Sequence, residues 1–186
     1  MDENPLRLFD RAVDAAAGVI GGVKPDRLDD PSPCAGWTVR QVVNHLVTGN
    51  KLFTSIVAGG PPPDRSQDHL GDDPLAAFRT SAARLRAAFL TDGVMERTYS
   101  APFGDGSGAR LVEMRVNEMI VHGWDVARGS GQSTDLDPEV AAVCLAMFQA
   151  VPFVPRGEGK PFAAEQAVPD GATVADRLAA FTGRAV

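Results

Sequence analysis

The sequence predicts an all-α protein, a bundle of helices, and three observations carry that prediction. Apolar residues recur at a 3.6-residue period through segment after segment, so that each segment can bury one stripe. Clusters of Pro, Gly and Asp punctuate those segments where a helix has to stop. Runs with the alternation and β-branched content of strands are nearly missing. With 186 residues the chain is large enough to close a core without staples. Residues 1–186 are therefore expected to form one domain, with a four-helix core over about 5–129 and a C-terminal extension over about 130–186.

The first helix is expected over about Pro5–Val19, where Leu6, Phe9, Val13, Ala16 and Ala17 share a face and Gly21–Gly22 act as the stop. The Asp- and Pro-rich "KPDRLDDPSPCAGW" then forms a loop. Thr38 is placed to cap a second helix over about Val39–Val57, which "GGPPPD" ends. A third, over about Pro74–Leu90, aligns Leu75, Phe78, Ala82, Leu85 and Phe89. Residues 97–110, "RTYSAPFGDGSGAR", read as a short extended or β-like insertion with a glycine-rich turn. The fourth helix, about Leu111–Arg128, is expected to end at Gly129. A fifth begins at Pro138 behind Asp137, the expected place for proline, and runs to about Ala150. "VPFVPRGEGKPF" is irregular and "TVADRLAAFTGR" makes a short terminal helix.

Composition narrows the function classes. Apolar residues make up 44% and charged residues 23%, which excludes a disordered or fibrous chain. The net charge of -6 and pI near 5.0 argue against nucleic-acid or anionic-membrane partners, both of which demand a basic patch. Cys34 and Cys144 form no CxxC pair, which fits a reducing compartment. The N-terminus shows no signal-peptide core, and no uninterrupted apolar run reaches membrane-spanning length. A cytoplasmic protein is expected.

The chemistry-bearing stretch is "RVNEMIVHGWDVAR" in the fourth helix. On a wheel of about 100° per residue, Arg115, Glu118, His122 and Asp125 fall on one arc, and Glu113, Asn117 and Arg128 on nearly the opposite one. One surface helix needs one solvated face, so two polar arcs suggest that one turns toward the interior or a cleft. Glu118 and His122, one turn apart, are either a surface ion pair or two ligands of a metal, for which zinc accepts both donor types. A third ligand then has to come from elsewhere. His69 lies in a polar loop, where solvation is the default, whereas His45 sits on the apolar arc of the second helix with Val42, Gly49, Leu52 and Ile56. His45 is either a core histidine bonded to a carbonyl or to Glu118, or an inward ligand that meets a Glu-x-x-x-His pair across a bundle.

"PSPCAGWTVRQVVNHLVTGN", "EMIVHGWDVARGSGQSTDLDPE" and "VADRLAAFTGR" occur in that order and together resemble the signatures of the DinB-like superfamily, in its actinobacterial short branch related to the metal-binding domain of mycothiol-dependent maleylpyruvate isomerase. The resemblance implies a four-helix core of up-down-down-up topology that carries a divalent metal, usually zinc, on His45, Glu118 and His122. It also implies mycothiol or another low-molecular-weight thiol as cosubstrate, a small-molecule substrate, and pairing into a homodimer. The isomerases add a further C-terminal domain; here the residues after the fourth helix resemble the ending of the shorter branch.

Around that set, Asp125 is read as orienting a ligand or a substrate, or as a plain surface carboxylate. Arg115 is read as a partner of Glu118 or of a substrate carboxylate. Cys34 is read as packing, because no base adjoins it. Trp37 and Trp124 are read as core or hinge anchors. "APFGDGSG" lacks the Lys and helix context of a phosphate loop. Three classes remain open: a metal- and thiol-dependent transferase, isomerase or hydrolase, a non-catalytic metal-binding or regulatory protein on the same bundle, and a structural helical dimer with the Glu118 arc turned to solvent.

Overall fold

The regular elements of the computed structural model, which describes residues 4–102, 104–150, 156–157 and 162–186, follow the predicted order. They are α1 (Pro5–Gly22), α2 (Val39–Ala58), α3 (Pro74–Phe89), β1 (Thr98–Tyr99), β2 (Gly106–Ser107), α4 (Gly108–Ser130), α5 (Pro138–Gln149) and α6 (Val174–Phe181). Each of these α-helices starts on a side chain that satisfies its first orphan N–H groups. Asn4, Asp73, Ser107 and Asp137 accept from α1, α3, α4 and α5, and Thr38 and Thr173 form reciprocal boxes with Gln41 and Asp176.

The directions of the helices follow from which residues meet. Asp10, early in α1, bonds Arg86 late in α3, and Phe9 packs edge-on against Phe89 with centroids 5.8 Å apart. Gly21, late in α1, lies against Leu75 at the start of α3, so these two run antiparallel. Val39, at the start of α2, abuts Gly129 near the end of α4, while Gly49 faces Arg115, so α2 and α4 also run antiparallel. Leu8 lies with Val112 and Val116, and Ala16 faces Gly123, so α1 and α4 are parallel. The result is a DinB-like up-down-down-up bundle around Phe9, Leu46, Phe78, Leu85, Met119, Ile120 and Trp124, all fully buried. Among the described residues no helix is long and apolar enough to cross a membrane.

Parallel α2 and α3 need a long return, and residues 59–73 supply it. That loop is tied back along α2: the Asn44 amide donates to the Gln67 carbonyl at 3.0 Å, and its Oδ1 accepts from the His69 N–H at 2.8 Å. Arg40 grips Asp68 at 2.6 and 3.0 Å.

Three boundaries differ from the sequence expectation, each because a glycine serves packing. Gly21 and Gly22 do not stop α1: they belong to it and admit Leu75 and the Gln132 side chain at short range. Gly129 does not end α4; a Cβ there would stand 2.8 Å from Val39 Cγ2 and 3.3 Å from the Pro31 carbonyl. The helix ends at Gly131, whose φ of 74° takes the left-handed cap. At its other end α4 begins at Gly108, where a Cβ would run into the Val94 carbonyl.

The expected insertion is a two-stranded antiparallel ribbon, Thr98 with Ser107 and Tyr99 with Gly106; Phe103 lies outside the described residues, as does most of "VPFVPRGEGKPF". Beyond α4, Arg11 on α1 forks onto Asp137 at 2.6 and 2.8 Å and reaches Glu139 at 2.6 Å, which fastens α5. Asp176 on α6 accepts from Trp124 Nε1 on α4 and from the Thr134 hydroxyl, both at 2.8 Å, which fastens α6.

Candidate metal centre

The polar arc of Arg115, Glu118, His122 and Asp125 faces inward, toward α2 and the loop after α1. Arg115 and Asp125 are 1% and 0% exposed and His122 is 9% exposed, while Glu118 and His45 are half-buried. The opposite arc is not wholly solvated either. Asn117 is buried because α5 covers it, its amide 3.8 Å from Met147 Sδ, whereas Arg128 is exposed.

His45 Nε2 stands 2.9 Å from Glu118 Oε2, and His122 Nε2 stands 3.6 Å from the same oxygen. The two imidazole rings meet edge-on with centroids 4.7 Å apart. One donor atom from each of the three residues falls within 4.8 Å of the others. Ligands of a tetrahedral ion with bonds of about 2.0–2.2 Å lie roughly 3.3 Å apart, so this spacing suits an ion in the centre. His122 shows the second mark of a ligand. Its Nδ1 lies 2.9 Å from Asp125 Oδ2, placed for an Nδ1–H to donate to that carboxylate, which would leave Nε2, on the Glu118 side, to bind an ion. Two imidazoles and a carboxylate form a donor set that fits zinc.

The charges agree with that geometry. Burial pushes the Glu118 carboxyl up, but the His45 hydrogen bond and the charges of His122 and Arg115 outweigh it and hold Glu118 well below the usual carboxylate range. Asp125 behaves alike: burial raises it, and the bonds from His122 and Arg184 bring it lower still than an ordinary aspartate. Burial brings the Arg115 guanidinium down to about 10 against the pull of Glu118, so it stays charged at neutral pH.

Arg115 is a buried counter-ion set behind the donor set. Its Nη2 donates to the Leu46 carbonyl at 3.2 Å and to Asn50 Oδ1 at 3.0 Å, its guanidinium lies 5.3 Å from the Phe53 centroid, and Nη1 is 3.9 Å from Glu118 Oε2. Asn50 in turn donates to the Ser81 hydroxyl at 3.0 Å, which donates to the Phe78 carbonyl. Arg115 thus lies inside the bundle at 1% exposure, beside Glu118.

Cys34 lies close enough to His122 and Asp125 to make a second trio. Asp125, however, already has both oxygens engaged, and burial followed by the Asp125 charge pushes the Cys34 thiol up. That side of His122 therefore orients the ring. Trp124 is a core anchor at 1% exposure. Trp37 is half-buried and flanks both imidazoles, its centroid 5.0 Å from His45 at a 55° tilt and 6.4 Å from His122 at 22°. A cleft of about 600 Å³ opens beside His45, walled by Trp37, Gln41, Asn44, Thr48 and the loop from Arg65 to Asp68. His69 belongs to that loop rather than to the donor set: its ring nitrogens lie 2.9 Å from Lys51 Nζ and 2.8 Å from the Asp64 carbonyl. In the "APFGDGSG" loop, Gly106 and Ser107 form β2 and Ser107 caps α4.

Sequence reasoning overlooked Arg184, whose guanidinium forks onto Asp125, and the Asn50–Ser81 pair behind Arg115. For Asn50 the available signal was its neighbour Gly49, because a glycine inside a helix clears space for a large buried group, here the Arg115 guanidinium.

The family model for the mycothiol maleylpyruvate isomerase N-terminal domain matches residues 9–127. The chain belongs to this family. The match takes in α2, α3, most of α1 and α4, and all of His45, Glu118 and His122. Two uncharacterized proteins from two strains of Mycobacterium tuberculosis are each 38% identical over 184 residues, covering 98% of this chain and 99% of the relative. Two crystal structures of mycothiol-dependent maleylpyruvate isomerase, one a His-to-Ala mutant, superpose with TM-scores of 0.64 and 0.60 at 18% and 19% identity. Each covers 77% of this chain and 67% of the isomerase chain, and at that identity the likeness establishes the shared fold.

Proposed function

We propose that His45, Glu118 and His122 hold a divalent metal, zinc by donor type, and that the protein is a thiol-dependent transferase or isomerase for a small electrophilic molecule. The observation that carries this reading is the convergence of three donor atoms from α2 and α4, with His122 already oriented by Asp125. Membership of a family described by a mycothiol isomerase supports the thiol, mycothiol or a similar low-molecular-weight one. A zinc ion with an open coordination position lowers the pKa of a thiol or water that reaches it.

The chain's own residues prepare that position. His45 and Glu118 come from facing helices and already stand 2.9 Å apart, so the set is assembled across the α2–α4 contact. Two neutral imidazoles and one carboxylate carry a single negative charge, which leaves a dication under-neutralised and favours an anionic partner. Trp37 flanks both imidazoles and supplies an apolar wall beside them. The polar walls of the adjacent cleft, Gln41 and Arg65 among them, offer hydrogen bonds to the body of a small molecule. A non-catalytic metal store would call for a fourth protein ligand; the neighbouring thiol, Cys34, groups with His122 and Asp125 instead of with His45 and Glu118. The same reading makes a small molecule and a thiol the partners, in the cytoplasm.

The test is turnover by zinc-loaded protein given mycothiol and a panel of small electrophiles that includes maleylpyruvate, followed by mass spectrometry. Product formation that requires both thiol and metal is expected. Metal-loaded protein that neither binds the thiol nor turns over any member of the panel would overturn the reading.

A further inference from the structure

We infer that Arg184, beyond α6 at the end of the chain, is a positioning residue for His122, acting through Asp125. The inference rests on the metal-site reading above and adds to it a part of the chain that the family match, ending at residue 127, does not reach.

Asp125 is fully buried, so every group that touches its carboxylate matters. His122 Nδ1 is 2.9 Å from Oδ2. Arg184 approaches from the other side as a fork, Nη2 donating to Oδ2 at 2.9 Å and Nε to Oδ1 at 3.1 Å. A carboxylate bonded only to an imidazole can still turn about its Cβ–Cγ bond. Two parallel bonds from a planar guanidinium fix its plane, and with it the direction in which Oδ2 receives the His122 N–H. The orientation of a ligand nitrogen thus depends on a residue 59 positions away from Asp125.

Arg184 is itself held. Its Nη1 donates to the Thr182 carbonyl at 3.2 Å, and its backbone N–H donates to the Ala179 carbonyl at 2.9 Å. Gly183, at φ 94°, makes the left-handed turn that aims the chain back toward α4. One residue before Asp125, Trp124 Nε1 donates to Asp176 and fastens α6 to the same stretch of α4. The Arg184 side chain is only 10% exposed, so it is a built contact and not a surface pair.

Zinc alone is the probe, its affinity measured by competition with a chromophoric chelator for the wild type, Asp125→Asn, Arg184→Gln, Arg184→Lys and the Asp125→Asn/Arg184→Gln double variant. Loss of a ligand's hydrogen-bonding partner weakens metal affinity about 10–100-fold. Asp125→Asn is expected in that range and Arg184→Gln near about tenfold. Arg184→Lys, which keeps the charge without the fork, should fall between Arg184→Gln and wild type. The double variant should bind no more weakly than Asp125→Asn alone, since Arg184 acts through Asp125. Melting of the metal-free proteins runs in parallel; if Arg184→Gln fails to fold, Arg184→Lys decides the matter. A purely structural Arg184 would lower the melting temperature while leaving zinc affinity within about twofold of wild type, or its loss would multiply with that of Asp125→Asn; either result overturns the inference. Wild-type protein that binds no zinc would overturn the metal-site reading together with it, so the two failures are told apart by the wild type.

Discussion

Two helical glycines, changed to alanine, should shift stability in opposite directions, and the contrast tests whether a buried arginine is fixed behind the donor set. At Gly49 an added Cβ would run into Arg115 Nη1 and stand 2.9 Å from its Cζ. The guanidinium has nowhere to retreat: it is 1% exposed, bonded at 3.2 and 3.0 Å, and stacked over Phe53. Displacing it forfeits hydrogen bonds from a charged group, each worth about 1.5–3 kcal/mol, or overpacks the helix contact by about 1–3 kcal/mol. The alanine returns about 1 kcal/mol of helix propensity. With both bonds lost, a net loss of about 2–5 kcal/mol remains, which for a chain of this size lowers the melting temperature by about 4–20 °C; overpacking alone leaves a net loss of up to about 2 kcal/mol. At Gly18, an exposed position of α1, nothing lies within 4 Å of the added Cβ, so Gly18→Ala should stabilise by up to about 1 kcal/mol. Differential scanning calorimetry of the metal-free variants reads both. A Gly49→Ala protein that melts at or above wild type would refute the reasoning, because it would mean that Arg115 leaves its place at no cost.

Trp124→Phe removes the donor to the Asp176 carboxylate and should cost about 1.5–3 kcal/mol; it also leaves Trp37 as the sole tryptophan, whose emission should change on zinc addition because its ring lies 5.0 Å from His45. Cys34→Ser should leave the metal content at the wild-type level, and a drop measured by elemental analysis would make the thiol a ligand. Burial raises the Asp137 carboxyl, but the Arg11 fork outweighs it and keeps that group lower than a free aspartate. With the folded value depressed, the contribution is present above the unfolded value of about 3.9 and is lost as pH falls through the folded one. The melting-temperature gap between wild type and Arg11→Gln should therefore be widest near neutrality and shrink below about pH 4.

The bundle was legible in the sequence because each core helix carries its own stripe and its own cap; Thr38 with Gln41 and Asp137 with Pro138 mark starts that the structure keeps. Ends were less legible. Gly129 and Gly131 look alike in a sequence, yet one clears space for Val39 and the other takes the left-handed cap, a distinction that depends on a neighbouring helix. Within the site, the arc of Arg115, Glu118, His122 and Asp125 was visible because four residues on one helix share a period. His45 could be singled out as a histidine on an apolar arc. Arg184 has no periodic relation to Asp125, and its pairing arises only when α6 packs against α4. Arg115 was readable as a partner of Glu118, but its burial depends on Gly49 and Asn50 across the helix interface.

The central claim is that His45, Glu118 and His122 together hold one metal ion. Its most direct test is the zinc content of protein exposed to zinc and then desalted, measured by elemental analysis for the wild type, His45→Ala, Glu118→Gln, His122→Ala and the control His69→Ala. About one ion per chain is expected in the wild type and in His69→Ala, with a large loss in each of the other three. Wild-type protein that retains no zinc, or His45→Ala and His122→Ala proteins that retain the wild-type amount, would contradict the account.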